Sequence, residues 1–146
     1  MKTDVLFSRQ RETWETPQDF FDAINKEFHF TLDSCALPQS AKCKTYFTPN
    51  DDGLLQPWHG NVWCNPPYDR EIPKWLSKAA QETGSGNADL VVLLIPARTD
   101  TQWFHDYVYQ KSGVEVRFIK GRLKFGGSKN NAPFPSMLVI FRKENR

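Results

Sequence analysis

No stretch of the 146 residues is long and apolar enough to cross a membrane. The longest apolar run is Leu90 to Ile95, where a span needs about 20 residues. The opening Met1-Lys2-Thr3-Asp4 lacks the apolar core of a signal peptide, so the cytoplasm is the expected compartment. Cysteine is scarce. Cys35, Cys43 and Cys64 are an odd number, and no pair has Cys-x-x-Cys spacing. Reduced thiols are the expectation. His29, His59 and His105 do not combine with them in a zinc pattern, and no metal site is expected. There is no internal repeat and no low-complexity tract. The net charge of +2 is too small to imply a nucleic-acid partner by itself.

What is present describes one globular domain. Hydrophobic residues at 39% and charged residues at 25% can support a packed core and argue against disorder. Residues 1–13 are polar and expected to be a loose segment, with a single domain over 14–146. Thr16 can cap a helix that has Pro17 at its first position, with Phe20, Phe21, Ile24 and Phe28 as the apolar stripe. Phe28 to Leu32 alternates as a short strand. The prolines and glycines of 37–60 exclude long regular elements there. Asn61 to Cys64 reads as a strand and Glu71 to Glu82 as a helix. Leu90 to Ile95 reads as a strand buried on both faces. Thr99 or Asp100 can cap a helix whose inner face carries Trp103, Phe104, Tyr107 and Val108. Val114 to Lys120 and Phe134 to Arg142 read as the last two strands. Alternating strands and helices predict an α/β layered domain with a mostly parallel sheet, ending in an antiparallel hairpin. Ligands of such sheets bind beyond the carboxyl ends of the strands. Asp33-Ser34-Cys35-Ala36 and Asn65-Pro66-Pro67-Tyr68 both fall at predicted strand ends.

The second tetrapeptide carries the clearest chemistry. Two prolines stiffen a turn, but a bare turn needs neither the asparagine nor the tyrosine. An aromatic amine is a poor nucleophile because its lone pair is delocalised into the ring. The Asn65 side-chain carbonyl offers one acceptor, and a main-chain carbonyl of the proline-stiffened turn offers another. Two acceptors aimed at two N–H bonds localise the lone pair and orient it for in-line attack on a methyl sulfonium, where orientation can contribute about 7–11 kcal/mol. Tyr68 supplies a flat ring on which a base can stack.

Asn-Pro-Pro-Tyr resembles the catalytic motif of amino-methyltransferases. Trp14-Glu15-Thr16-Pro17, Leu32-Asp33-Ser34-Cys35-Ala36, Asp51-Asp52-Gly53-Leu54, Trp63 to Tyr68, Pro96 to Asp100, Gly121 to Phe125 and Ala132 to Ser136 occur in that order. Together they resemble the phage-type DNA N6-adenine methyltransferase (phage Dam) family over about residues 14–142. The resemblance implies a compact Rossmann-like methyltransferase fold with S-adenosylmethionine as cofactor, and Asn65, Pro66, Pro67 and Tyr68 as the catalytic set. It implies cofactor contacts at Thr16 and Pro17, at Asp33, Ser34, Cys35 and Ala36, at Asp52 and at Asn65. The family's usual glycine-rich turn is missing, since Leu37-Pro38 follows Ala36.

The implied partner is double-stranded DNA, with the chain a monomer or a homodimer. Arg117, Lys120, Arg122, Lys124 and Lys129 form a basic stretch without an acid, interleaved with Phe118 and Phe125. Such a stretch suits a phosphate backbone, or is a solvated strand and loop. Arg122 and Lys124 are its candidate DNA contacts. Arg98 is a candidate for DNA phosphate or the target pocket, or a surface arginine beside a helix start. Phe125 either stacks on an extruded base opposite Tyr68 or belongs to the core. Two other readings share the tetrapeptide: a protein glutamine methyltransferase, and a silent methyltransferase-like module that only binds DNA. The basic stretch weighs against the first, and the complete Asn-Pro-Pro-Tyr set against the second.

Overall fold

The computed structural model describes residues 14–126 and 130–143. The segment 1–13, expected to be loose, lies outside the described residues. No described helix is long and apolar enough to cross a membrane.

The first helix, α1, spans Gln18–Phe28 and buries Phe21 and Phe28, with Asp19 in its first turn and Lys26 in its last, as the helix dipole favours. Its N-cap is Pro17 rather than Thr16, and no side chain caps it. His29, in the left-handed region at φ 53°, ends the helix. The Asn25 side chain then accepts the Phe30 N–H at 2.7 Å. This reversal occupies the residues expected to form a strand from Phe28, so strand β1 is only Leu32–Asp33. Phe30 instead packs against Phe21, Phe28 and Trp63.

Strand β2 (Gly60–Cys64) leads into helix α2 (Ile72–Gly84), which buries Ile72, Trp75, Leu76 and Ala79 against strand β3 (Ala88–Pro96). Val91 to Ile95 are fully buried, as a continuous apolar run at the sheet centre requires. The helix expected after β3 is a five-residue π-helical turn, Phe104–Val108. Thr101, not Thr99 or Asp100, accepts the Phe104 N–H, at 3.3 Å. Phe104 and Val108 are buried, and Trp103 and Tyr107 pack against the core beside them.

Strands β4 (Val114–Phe118) and β5 (Ser136–Arg142) complete a sheet of order β1-β2-β3-β5-β4. The first three strands are parallel, and β5 is antiparallel to both β3 and β4. The last two strands therefore pair as expected, but β5 inserts between β3 and β4. Four strands share one direction, so the loops after β1, β2, β3 and β4 emerge along one edge, where β5 begins. Beside β1, residues 45–47 cover the outer edge: Asp33 N–H bonds Thr45 O and Phe47 N–H bonds Asp33 O, each at 3.0 Å. The result is a mostly parallel α/β sheet with β5 as its antiparallel strand.

Candidate active site

The turn after β2 holds Asn65 with its side-chain amide in one orientation. Asn65 is 7% exposed. Its Nδ2 donates to the Trp14 carbonyl and, at 2.9 Å, to Thr16 Oγ1. A carbonyl oxygen can only accept, so the amide nitrogen must face Trp14 and Oδ1 must face the opposite way. On that side the Tyr68 hydroxyl lies 2.8 Å from Asn65 Oδ1 and 2.9 Å from Leu94 O. The phenol has one proton for these two acceptors. Oδ1 therefore keeps capacity to accept from an incoming amine. Pro66 is buried and Pro67 half-buried, and both follow trans peptide bonds.

Tyr68 does not stand as an open platform. It is 7% exposed, with its ring edge-on to Phe125 at 6.2 Å and to Phe134 at 5.6 Å. Burial pushes its hydroxyl pKa well up, opposed by the positive charge of Arg98. Trp14 meets Phe125 and Phe134 from the other side, at 5.6 and 5.3 Å. Phe125, at 1% exposure, is thus a buried residue that also faces Tyr68. A base can enter between these rings only by opening the cluster. Trp14 and Phe134 carry no role in the sequence reading. Their signal was an aromatic residue inside two of the family-like segments, which cannot by itself be told from packing.

On the β1 side, Asp33 is buried and accepts the Cys35 N–H at 3.3 Å and the Lys42 N–H at 3.0 Å. Burial outweighs those bonds and raises its pKa to about 6. Ser34 Oγ donates to Trp63 O at 3.0 Å, fixing the β1 turn to β2. Burial also raises the Cys35 thiol, and all three cysteines are free thiols. Two hollows meet along Cys35, Ala36 and Leu37. The smaller, about 30 Å³, brings together Thr16, Asp33, Lys42 and Asn65. The larger, about 750 Å³, is walled by Ser34, Phe47, Asp52, Gly53, Pro67 and Trp75. Asp52 sits exposed at its rim in the left-handed region, φ 55°. Gly53 lies so close to the Ser34 carbonyl that an added Cβ would fall 2.2 Å from it. Pro17, expected to touch the cofactor, stands at the start of α1 and outside the lining of both hollows.

The basic stretch divides. Arg117 is held by Glu27 at 2.7 and 2.8 Å and by Glu115 at 2.5 Å, over the ring of Phe28. It belongs to the α1 face and is removed from the candidate phosphate contacts. Lys120, Arg122 and Lys124 are exposed in the 119–135 connection, and Arg98 is exposed after β3 at the same sheet edge. Lys129 lies outside the described residues. Phe118 is 64% exposed at the end of β4.

Comparison with known proteins matches residues 4–146 to a family model described as DNA N-6-adenine-methyltransferase (Dam). The chain is 30% identical over 139 residues to the DNA N-6-adenine-methyltransferase of Haemophilus phage HP1 (strain HP1c1), covering 90% of this chain and 79% of that protein. It is 35% identical over 65 residues to YfdM of Escherichia coli (strain K12), provisionally described as a methyltransferase, covering 39% of this chain and 71% of that one. A Pyrococcus horikoshii structure, provisionally described as an RNA methyltransferase, superposes at a TM-score of 0.48 with 16% identity, over 70% of this chain and 52% of the other. That last likeness is too loose to bear on fold or substrate.

Proposed function

Because the chain belongs to the DNA N-6-adenine-methyltransferase (Dam) family, and so methylates adenine N6 in DNA, we propose how it does so. The Asp33–Ala36 turn would hold S-adenosylmethionine, and Asn65 would receive an adenine turned out of duplex DNA. The observation that carries this reading is the clamped amide of Asn65 at the end of a parallel strand, whose Oδ1 faces away from Trp14 and keeps a second lone pair beyond the one toward the Tyr68 hydroxyl. The residues present fit the cofactor. Around the small hollow, Thr16, Asp33 and Asn65 offer a carboxylate and polar groups for an amino-acid end. The large hollow offers Phe47, Leu54 and Trp75 for an adenosine, with Asp52 at the rim. Its size is that of ordinary small-molecule sites.

Bound S-adenosylmethionine would supply a methyl group on a sulfonium; as the new N–C bond forms, the S–C bond breaks and its electron pair leaves with the neutral thioether, S-adenosylhomocysteine, so no strong base is needed. Asn65 Oδ1 accepts one N6 hydrogen, and a main-chain carbonyl at Pro66-Pro67 accepts the other. The amine lone pair is thereby directed at the methyl carbon. The proton lost afterwards comes from an acidic anilinium-like product and passes to water. Tyr68 and Phe125 separate to take the base between them, which exchanges protein stacking for base stacking. The test is incubation with labelled S-adenosylmethionine and duplex DNA, followed by nucleoside analysis. Label in N6-methyladenine supports the reading. Label in protein glutamine instead would replace it.

Two further results are expected. Asp33, with its pKa raised to about 6 by burial, faces the cofactor's ammonium in this reading, which favours the carboxylate. Affinity for S-adenosylhomocysteine should then weaken as pH falls below about 6, by up to about tenfold per pH unit, and be flat above. In the free protein the sign is opposite: the folded state holds the Asp33 proton more tightly than the unfolded chain, so stability declines as pH rises from about 4 to about 6. Calorimetric titration of wild type and Asp33→Asn across pH 5–8 checks this, and a variant with the wild-type pH dependence would remove Asp33 from the site. Separately, each phosphate contact contributes about 0.9 to the slope of log affinity against log salt on duplex DNA. The double variant Arg122→Ala, Lys124→Ala should flatten that slope by about 2. An unchanged slope would return both residues to the solvated surface.

A further inference from the structure

Thr16 falls in the segment assigned by resemblance to the cofactor, yet its hydroxyl is engaged elsewhere. Its Oγ1 accepts an Asn65 amide proton at 2.9 Å, in a buried contact between residues 49 positions apart in sequence. The other amide proton goes to the Trp14 carbonyl. An asparagine amide is otherwise soft about its last torsion, with two broad orientations. Turned over, Asn65 would set Oδ1 against the Trp14 carbonyl, acceptor on acceptor, and would present an N–H pair to a target amine that is itself a donor. The orientation able to accept from the amine is therefore fixed by groups outside the Asn-Pro-Pro-Tyr turn.

We propose that Thr16 is a positioning residue for methyl transfer, acting through Asn65 and not only on the cofactor. The proposal rests on the reading above, in which Asn65 Oδ1 accepts from adenine N6. The neighbours of Thr16 give the contact its stiffness. The Trp14 ring is wedged edge-on against Phe125 and Phe134. The Glu15 carbonyl accepts the Gly126 N–H at 2.8 Å, pairing the strap with the loop that carries Phe125. Three consecutive residues thus tie the aromatic cluster, the 119–135 connection and the catalytic acceptor into one body.

The experiment compares Thr16→Val, which keeps the shape and removes the acceptor, with Thr16→Ser, which keeps the acceptor. Thr16→Ala stands in if valine packs badly. At saturating S-adenosylmethionine and duplex DNA, the single-turnover rate of Thr16→Val should fall about tenfold or more, the scale on which misplacing a reacting group acts. Thr16→Ser should restore it to within about twofold of wild type by the same reasoning. In an Asn65→Ala background, Thr16→Val should cause no further loss, because the two residues act as one unit. A raised KM for the cofactor with an unchanged saturated rate, or an additive loss in that background, would overturn the proposal. A second readout does not depend on turnover. The Asn65 side-chain amide protons, followed by NMR, should both be hydrogen-bonded in the wild type, and one should shift in Thr16→Val. An unchanged amide pair would also overturn it. If the wild type methylated no adenine, the functional reading would fail, while the amide shifts would still decide whether Thr16 holds Asn65.

Discussion

Asn65→Ala is expected to lower single-turnover methyl transfer to duplex DNA by about 10²–10³-fold, the usual effect of deleting one positioned polar group at a reacting centre. The variant should remain folded and still bind cofactor, because the proposed cofactor walls at Asp33–Ala36 and Gly53 are formed largely by other residues. Asn65→Asp should recover little. One carboxylate oxygen would face the Trp14 carbonyl and Thr16 Oγ1, which now receive amide protons. Either the carboxyl is protonated or the strap at 14–16 is pushed away. Tyr68→Phe tests the other side of the amide. It removes the only proton shared between Asn65 Oδ1 and the Leu94 carbonyl, leaving the latter unpaired in the core, so a loss larger than pure stacking would predict is expected. N6-methyladenine formed in a single turnover is the measurement. An Asn65→Ala enzyme at the wild-type rate would sink the mechanism.

Gly53→Ala is expected to cost about 2–5 kcal/mol of stability, combining overpacking with a lost buried hydrogen bond. The added Cβ would lie 2.2 Å from Ser34 O and 3.4 Å from Trp75 Cη2. The Ser34 carbonyl is backbone and cannot swing aside, so the 3-10 turn at Gly53–Leu55 must retreat. That retreat draws the Gly53 carbonyl from the buried Trp58 indole N–H, which donates to it at 2.9 Å. Trp58 in turn stacks near Trp75 and holds Glu82 through its main-chain N–H. If the cavity holds the cofactor as proposed, its affinity should fall as well, because Ser34, Asp52 and Gly53 border that cavity. Urea denaturation and cofactor titration measure the two effects. A variant within about 0.5 kcal/mol of wild type, the range of neutral surface changes, would show that the close approach is not structural.

The parts legible in the sequence are those set by local pattern. Val91 to Ile95 announce a buried strand, Ile72 to Ala79 a helix face, and the two tetrapeptides fall at strand ends on one sheet edge as read. The illegible parts depend on partners far along the chain. Nothing local says that β5 enters between β3 and β4. Arg117 reads as part of a basic stretch open to phosphate because Glu27, which captures it, lies 90 positions away. Thr16 reads as a helix cap because the alternative partner of a capping hydroxyl is visible only in three dimensions. Phe125 reads either as a stacking partner opposite Tyr68 or as core; the two rings meet edge-on, in a contact that reflects the apolar surface both bury. The reversal at His29 was hidden because Phe28, Phe30 and Leu32 alternate like a strand while satisfying a helix end and a turn instead.

The insertion of β5 between β3 and β4 also orders events during synthesis. Among the described residues β5 follows every other strand, yet it pairs with all seven residues from Leu90 to Pro96 and is the sheet partner of β4. As the polypeptide leaves the ribosome, the most apolar strand has one free edge until residue 142 emerges, and β4 has no neighbour to join. Such unpaired, apolar edges are the sites at which nascent chains associate. A chain halted before Ser136 would carry the whole Asn-Pro-Pro-Tyr turn, but without the strand that pairs with both β3 and β4. Premature termination should thus yield insoluble fragments rather than a partially active enzyme, with methylation expected only after β5 has been translated.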